Sequence, residues 1–210
     1  MSHPAADRIV DLYREGAEDW IAARSVLGQV DLDDAGWLER FAAALPAGGS
    51  VLDVGCGHGH PIAAALLARG FRVTGLDTSE RLIAHARRTL PGGDWITGDM
   101  RTLDIDRRFD GVIAWCSLFH LSIADQTLAL PRLLGCGAPG AVVLFNAGST
   151  EGEAIGLWRG EDLYHASLAP EAYRALLKDA GYAIVSADLV TRESANTGVW
   201  MARRAFVSAE

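Results

Sequence analysis

Lysine is almost missing from this chain of 210 residues: Lys178 is the only one among 19 basic residues, which face 27 acidic ones. The formal net charge is −8. Neutralising a phosphate backbone needs a basic face, so the balance excludes nucleic acid as an expected partner. The lysine deficit is read as genomic bias and carries no function. Cysteine is scarce as well. Cys56, Cys116 and Cys136 are odd in number and lack metal-ligand spacing, which points to reduced thiols and a cytoplasmic protein. Half of the residues are hydrophobic (50%), yet no apolar stretch is long enough to span a membrane. Asp7, Arg8, Asp11 and Arg14 interrupt any apolar core of a secretory signal, which again predicts a cytoplasmic location. There is no internal repeat and no low-complexity tract. The length suits one substantial core.

What the chain does have is the stretch VLDVGCGHGHP, Val51 to Pro61. Its apolar start ending in a carboxylate reads as a buried parallel strand. Gly55, Gly57 and Gly59 then let the backbone turn tightly and approach a ligand, and the alanine- and leucine-rich run from Pro61 to Arg69 reads as a helix. A strand, a glycine turn and a helix N-terminus aim free N–H groups at one place, which suits a nucleotide-like ligand. The dinucleotide fingerprint asks for a third glycine where this chain has His60.

Before this stretch, His3 to Leu27 carries apolar residues at helical spacing, and a second amphipathic piece runs from an N-cap at Asp33 or Asp34 to Leu45. Tyr13, Trp20 and Arg24 are either packing positions or parts of a lid over the ligand edge. After it, strands are expected at Phe71 to Leu76, Trp95 to Thr97, Phe109 to Trp115 and Ala141 to Phe145. Ser79 caps a helix within Thr78 to Leu90, and Ser122 caps another that Pro131 is expected to kink or end. Asn146 to Ala169 reads as a long glycine-rich connection holding Glu151, Glu153, Trp158, Tyr164 and His165, and connections of that length tend to be functional. A helix from Glu171 to Ala180 is expected to precede a closing hairpin, Tyr182 to Val190 and Val199 to Val207, with Asn196 and Gly198 marking its turn.

Three acidic positions complete the pattern. Asp53 precedes the glycines, Asp77 ends the second strand, and Asp99 with Met100 follows the third. The alternating G-x-G-x-G after Asp53, the acid at Asp77 and the Gly98-Asp99-Met100 segment together resemble the class I S-adenosylmethionine-dependent methyltransferases, over roughly Gly48 to Phe206. The resemblance implies a Rossmann-like three-layer α/β/α sandwich, with a mainly parallel seven-stranded sheet and an antiparallel last strand. Residues 1–47 are expected as an N-terminal helical lid and residues 48–210 as the cofactor-binding domain. S-adenosylmethionine is then the cofactor. Its methionine part is expected on Asp53, Gly55, Cys56, Gly57 and Trp115, with Arg24 facing its carboxylate. Asp77 and Thr78 are expected at the ribose, and Asp99 and Met100 at the adenine.

The function implied is methyl transfer to an oxygen or nitrogen of a small molecule. Such a displacement needs donor and acceptor aligned and water excluded, with a base where the acceptor carries a proton. His120 is the expected base, on the segment after the fourth strand, with His165 or Tyr164 replacing or assisting it. Cys116 stands where members of the resembled family often carry an acid, which weakens any expectation of a carboxylate base. Trp115, Phe119 and Trp158 either surround the acceptor or belong to the core. No metal is expected, since Asp110 begins its strand at the end far from the site. The alternatives are a non-catalytic S-adenosylmethionine-binding module and an NAD-dependent oxidoreductase. A monomer or a homodimer is expected.

Overall fold

The computed structural model describes residues 3–26, 36–191 and 196–206, with the side chains of 24–26, 191 and 196 outside the description. The N-cap expected at Asp33 or Asp34 lies outside the described residues. Helices α1 (Pro4–Glu15), α2 (Ala17–Val26) and α3 (Trp37–Ala43) lead into a regular alternation. It comprises β1 (Ser50–Val54), α4 (Ile62–Ala68), β2 (Arg72–Asp77), α5 (Glu80–Thr89), β3 (Asp94–Thr97), β4 (Phe109–Ala114), α6 (Ile123–Gly135) and β5 (Gly137–Gly148). Strands β6 (Gly152–Trp158) and β7 (Glu161–Ser167), helix α7 (Pro170–Asp179), and strands β8 (Tyr182–Thr191) and β9 (Asn196–Arg204) follow.

The main sheet has seven strands in the order β3-β2-β1-β4-β5-β9-β8. Neighbours from β3 to β5 pair in parallel, and β9 inserts antiparallel between β5 and β8. Alternation along the strands gives the sheet two apolar faces. Leu52 and Val54 of β1 face a core shared with Leu130 and Leu133 of α6 and Tyr173 and Leu177 of α7. Val51 faces the opposite core, made with Trp37 and Phe41 of α3, Leu66 of α4 and Ile83 of α5. The expected α/β/α sandwich is the fold observed, and strand order reverses between β1 and β4, where β1 ends in the glycine loop.

Helix starts follow the sequence. The Ser79 hydroxyl accepts from the Leu82 amide, and the Ser122 hydroxyl accepts from the Asp125 amide at 3.1 Å. Three expectations are corrected. Pro131 neither ends nor interrupts α6, because Leu130, Leu133 and Leu134 on both sides of it are fully buried and their packing outweighs the missing bond. The segment 146–169 is not a loop: it extends β5 to Gly148 and then folds as the β6–β7 hairpin. Arg159 and Gly160 turn that hairpin with φ of 57° and 78°, the two left-handed residues of a type I′ turn. Asn196 and Gly198 belong to β9 instead of a turn, and the β8–β9 connection, residues 192–195, lies outside the described residues. Among the described residues no helix is long and apolar enough to cross a membrane.

Candidate active site

The groove at the carboxyl ends of the strands is organised by the glycine loop. Gly55, Gly57 and Gly59 all take left-handed φ, 74°, 57° and 84°. Close approach also demands glycine here. A β-carbon on Gly55 would lie 2.3 Å from the Ser117 Cβ, and one on Gly59 would lie 2.7 Å from Leu90 and Trp95. The amides of Gly55 and Cys56 donate to the Leu76 carbonyl at 2.7 and 3.1 Å, which fastens the loop to the end of β2.

Asp77 ends β2 beside this loop. One carboxylate oxygen accepts from the Gly57 amide at 2.9 Å and the other from the Ser79 amide at 2.8 Å. Burial raises its pKa, and the amide hydrogen bonds oppose that rise. Asp53, on β1, is buried and its Oδ2 has no hydrogen-bond partner. Burial first, and the nearby Asp77 charge second, push its pKa from 3.8 to about 7. Asp99 is held by Arg101, whose guanidinium reaches both carboxylate oxygens at 2.6 to 3.0 Å. Those hydrogen bonds outweigh its partial burial and lower its pKa.

The main cleft, of about 90 Å³, is lined by Gly55, Gly57, Asp77, Thr78, Asp99, Met100, Cys116 and His120 together with Tyr13 and Trp20 of the N-terminal helices. A smaller cavity of about 40 Å³ is lined by Asp53, Cys56, His60 and Trp115, with Trp20, Gly55, Gly57 and Cys116 common to both. Trp20 stands between them: its indole nitrogen lies 3.1 Å from the position of a β-carbon on Gly57. The expected residues therefore come together around one loop. Trp115 joins them on the Asp53 side only, with its ring packed in the core. The side chain of Arg24, on α2, lies outside the described residues.

His120 lines the cleft from the 3-10 turn Leu118–His120. Its Nδ1 lies 2.9 Å from the Tyr164 carbonyl oxygen and its Nε2 lies 2.9 Å from the Tyr13 hydroxyl. A carbonyl only accepts, so Nδ1 carries the proton and Nε2 accepts from Tyr13. Burial lowers the His120 pKa to about 4, below the range in which a free histidine titrates. The expectation of a base titrating near neutrality is corrected accordingly. Tyr164 contributes its carbonyl; its ring is buried against α1 and its hydroxyl donates to Glu153 at 2.7 Å. His165 and Phe119 pack against the His120 ring, 5.0 and 4.7 Å between centroids. Trp158 stacks on Tyr13 at 5.2 Å and meets Trp20 edge-on, so the β6–β7 hairpin backs the N-terminal helices. Arg159 of the same hairpin pairs with Asp19 of α2 at 2.5 Å.

Sequence reasoning missed Arg101, Ser117 and Asn146. The Ser117 hydroxyl donates to the Val54 carbonyl at 2.7 Å, and Asn146 Oδ1 accepts from the Cys116 amide at 2.7 Å, holding that residue at a φ of 52°. An Arg two residues after Asp99 was a readable signal; the other two carry none. Among the described residues no group of three or more His, Cys, Asp or Glu is placed to hold a metal ion.

A glycine loop flanked by one orphaned buried carboxylate and one carboxylate bound to the loop's own amides fits a ligand carrying both a cationic amino-acid part and a ribose. The fold is that of the Rossmann-like methyltransferases, with the groove at the carboxyl ends of the strands. Residues 51–140 match a protein family described as a methyltransferase domain. Trans-aconitate 2-methyltransferase of Azoarcus sp. strain BH72 is 32% identical over 130 residues, 58% of this chain and 43% of that protein. The chain spans about half the length, or less, of the curated relatives it matches first. Among solved structures, magnesium protoporphyrin IX methyltransferase from Synechocystis PCC 6803 with bound S-adenosylmethionine superposes with a TM-score of 0.72 at 18% identity, covering 97% of this chain and 99% of that one. Burkholderia thailandensis 1,6-didemethyltoxoflavin-N1-methyltransferase, with its substrate and S-adenosylhomocysteine bound, gives 0.65 at 22% identity, covering 98% and 92%.

Proposed function

We propose that the chain transfers a methyl group from S-adenosylmethionine to an oxygen or nitrogen of a small molecule. The observation that carries this reading is the pair of carboxylates around Gly57, Asp53 with a buried oxygen left over and Asp77 bonded to the loop. A buried carboxylate without a partner is costly, and a cationic amino-acid group placed beside it removes that cost. Two adjacent hydroxyls of a ribose match the two oxygens of Asp77. Asp99 and Met100, which line the cleft, are assigned to the adenine, and Thr78, beside Asp77, to the ribose. Arg24 is assigned to the cofactor's carboxylate as part of the N-terminal lid. The cofactor, when bound, supplies an electrophilic methyl group on a sulfonium.

The protein's share is alignment, dryness and a place for a proton. Residues 1–47 act as the lid of the domain formed by residues 48–210, through α1 and α2, which put Tyr13 and Trp20 over the groove; α3 stays packed on the sheet. Neutral His120 takes the acceptor's proton by way of Tyr13, whose hydroxyl lines the groove and donates to Nε2. The relatives' printed names, trans-aconitate and didemethyltoxoflavin among their substrates, support a small acceptor. Calorimetry with S-adenosylhomocysteine and with NADH, followed by labelled-methyl transfer to a panel of carboxylic acids, phenols and amines, tests the reading. Binding of the first ligand alone, with transfer to a panel member, supports it. NADH binding, or cofactor binding with no transfer to any of the three acceptor classes, overturns it.

A further inference from the structure

Gln126 lies on α6, is fully buried, and is not among the groove-lining residues. Both its N–H groups and its carbonyl oxygen are engaged. Nε2 donates to the carbonyl oxygens of Leu121 at 3.0 Å and Ala166 at 2.8 Å, and Oε1 accepts from the Tyr173 hydroxyl at 2.6 Å. Tyr173 in turn accepts from the Leu168 amide at 3.1 Å. An amide N–H cannot accept, so the Tyr173 proton goes to Gln126, and the orientation of the amide follows from the network.

The two carbonyls belong to the two segments that hold His120. Leu121 is the next residue and closes the 3-10 turn. Ala166 stands two residues beyond Tyr164 on β7, and carbonyls two apart along a strand point to the same side. Strand β7 pairs with β6 along one edge only, so the Tyr164 and Ala166 carbonyls emerge from its other edge. One takes the Nδ1 proton of His120 and the other takes Gln126. Gln126 thereby sets the spacing between the turn that carries His120 and the strand that orients its ring. We propose that Gln126, locked by Tyr173, is a positioning residue that keeps His120 in the orientation presenting Nε2 to Tyr13. This rests on the reading of His120 as the proton acceptor.

Long-range nitrogen–proton NMR spectra of the 15N-labelled protein, with His120→Ala to assign the ring, read the tautomer and titration of His120. The wild type is expected to show the Nδ1–H form, neutral down to about pH 4. In Gln126→Leu, and to a smaller extent in Tyr173→Phe, the Nε2–H form should appear and the midpoint should rise toward the ordinary histidine value. Affinity for S-adenosylhomocysteine should stay within about twofold, while kcat on the panel acceptor methylated fastest falls at least about tenfold. Should Gln126→Leu not fold, Tyr173→Phe, which keeps the ring's packing, carries the test. Variants that lose thermal stability yet keep the Nδ1–H tautomer and its midpoint overturn the proposal. A wild type that fails to bind S-adenosylhomocysteine overturns the methyltransferase reading instead, and the tautomer of His120 still decides the role of Gln126.

Discussion

The indole nitrogen of Trp20 lies 3.1 Å from the point that a β-carbon on Gly57 would occupy, so a side chain of α2 rests on the centre of the glycine loop. Tyr13 and Trp158 brace that indole edge-on, with centroids 5.2 and 5.9 Å away. The groove is thereby divided into an Asp77 side and an Asp53 side. A ligand that reaches both carboxylates has to displace the ring.

Trp20→Ala is accordingly expected to speed association of S-adenosylhomocysteine by about threefold or more, since the binding-competent form no longer has to be selected from a closed one. Stopped-flow fluorescence measures this rate. An unchanged rate shows that the ring clears the loop without limiting entry.

Asp77→Ala removes the acceptors of the Gly57 and Ser79 amides, and with them the partner proposed for the ribose. Cofactor affinity should fall by about 1 to 3 kcal/mol by calorimetry, two lost hydrogen bonds at about 0.5 to 1.5 kcal/mol each. A folded variant that binds as tightly as the wild type takes Asp77 out of the site.

The parts of this arrangement legible in the sequence are those whose physics is local. Alternating glycines, acids at strand ends and serines before helices each state their role within a few residues, and Gly57, Asp77, Ser79 and Ser122 stand where their neighbours imply. What was hidden depends on contacts across the chain. Tyr13 meets His120 across 107 positions, and Cys116 meets Asn146 across 30. The β6–β7 hairpin was obscured by its own composition, because glycines and exposed side chains such as Glu153 and Leu157 blur the alternation of a strand. Its order comes from Tyr164 and Ala166 packing on α1. Pro131 misled for a similar reason, since tertiary burial of its neighbours overrode a local rule.

The Asp53 carboxyl has a folded pKa of about 7, raised from 3.8 by burial and then by Asp77. Between these values the folded chain holds a proton that the unfolded chain has released. This group's contribution to stability is therefore full below pH 3.8 and is lost as pH rises to about 7. Asp53→Asn removes the charge that must be buried. The variant should gain stability over the wild type progressively across that window in denaturant melts, with the gap constant at higher pH, and should bind S-adenosylhomocysteine more weakly. A pH-independent gap places the ionisation elsewhere.

His120 runs in the opposite sense. Its pKa falls from 6.5 to about 4 through burial, so between those values the unfolded chain binds a proton that the folded chain refuses. The stability it lends is present above pH 6.5 and is lost as pH falls toward 4. The same ionisation governs its chemistry, because Nε2 accepts from Tyr13 only while the ring is neutral. Turnover should therefore show no acid limb from this residue near neutrality, and such a limb should emerge only as the pH approaches about 4. His120→Ala should lower kcat by about two orders of magnitude, the low end of what a positioned base supplies, with cofactor affinity nearly unchanged. Wild-type kcat in that variant returns His120 to the packing of the 3-10 turn, and a limb near pH 6.5 that disappears with His120 shows the ring to be more open to water than its contacts with Tyr13, Phe119 and His165 imply.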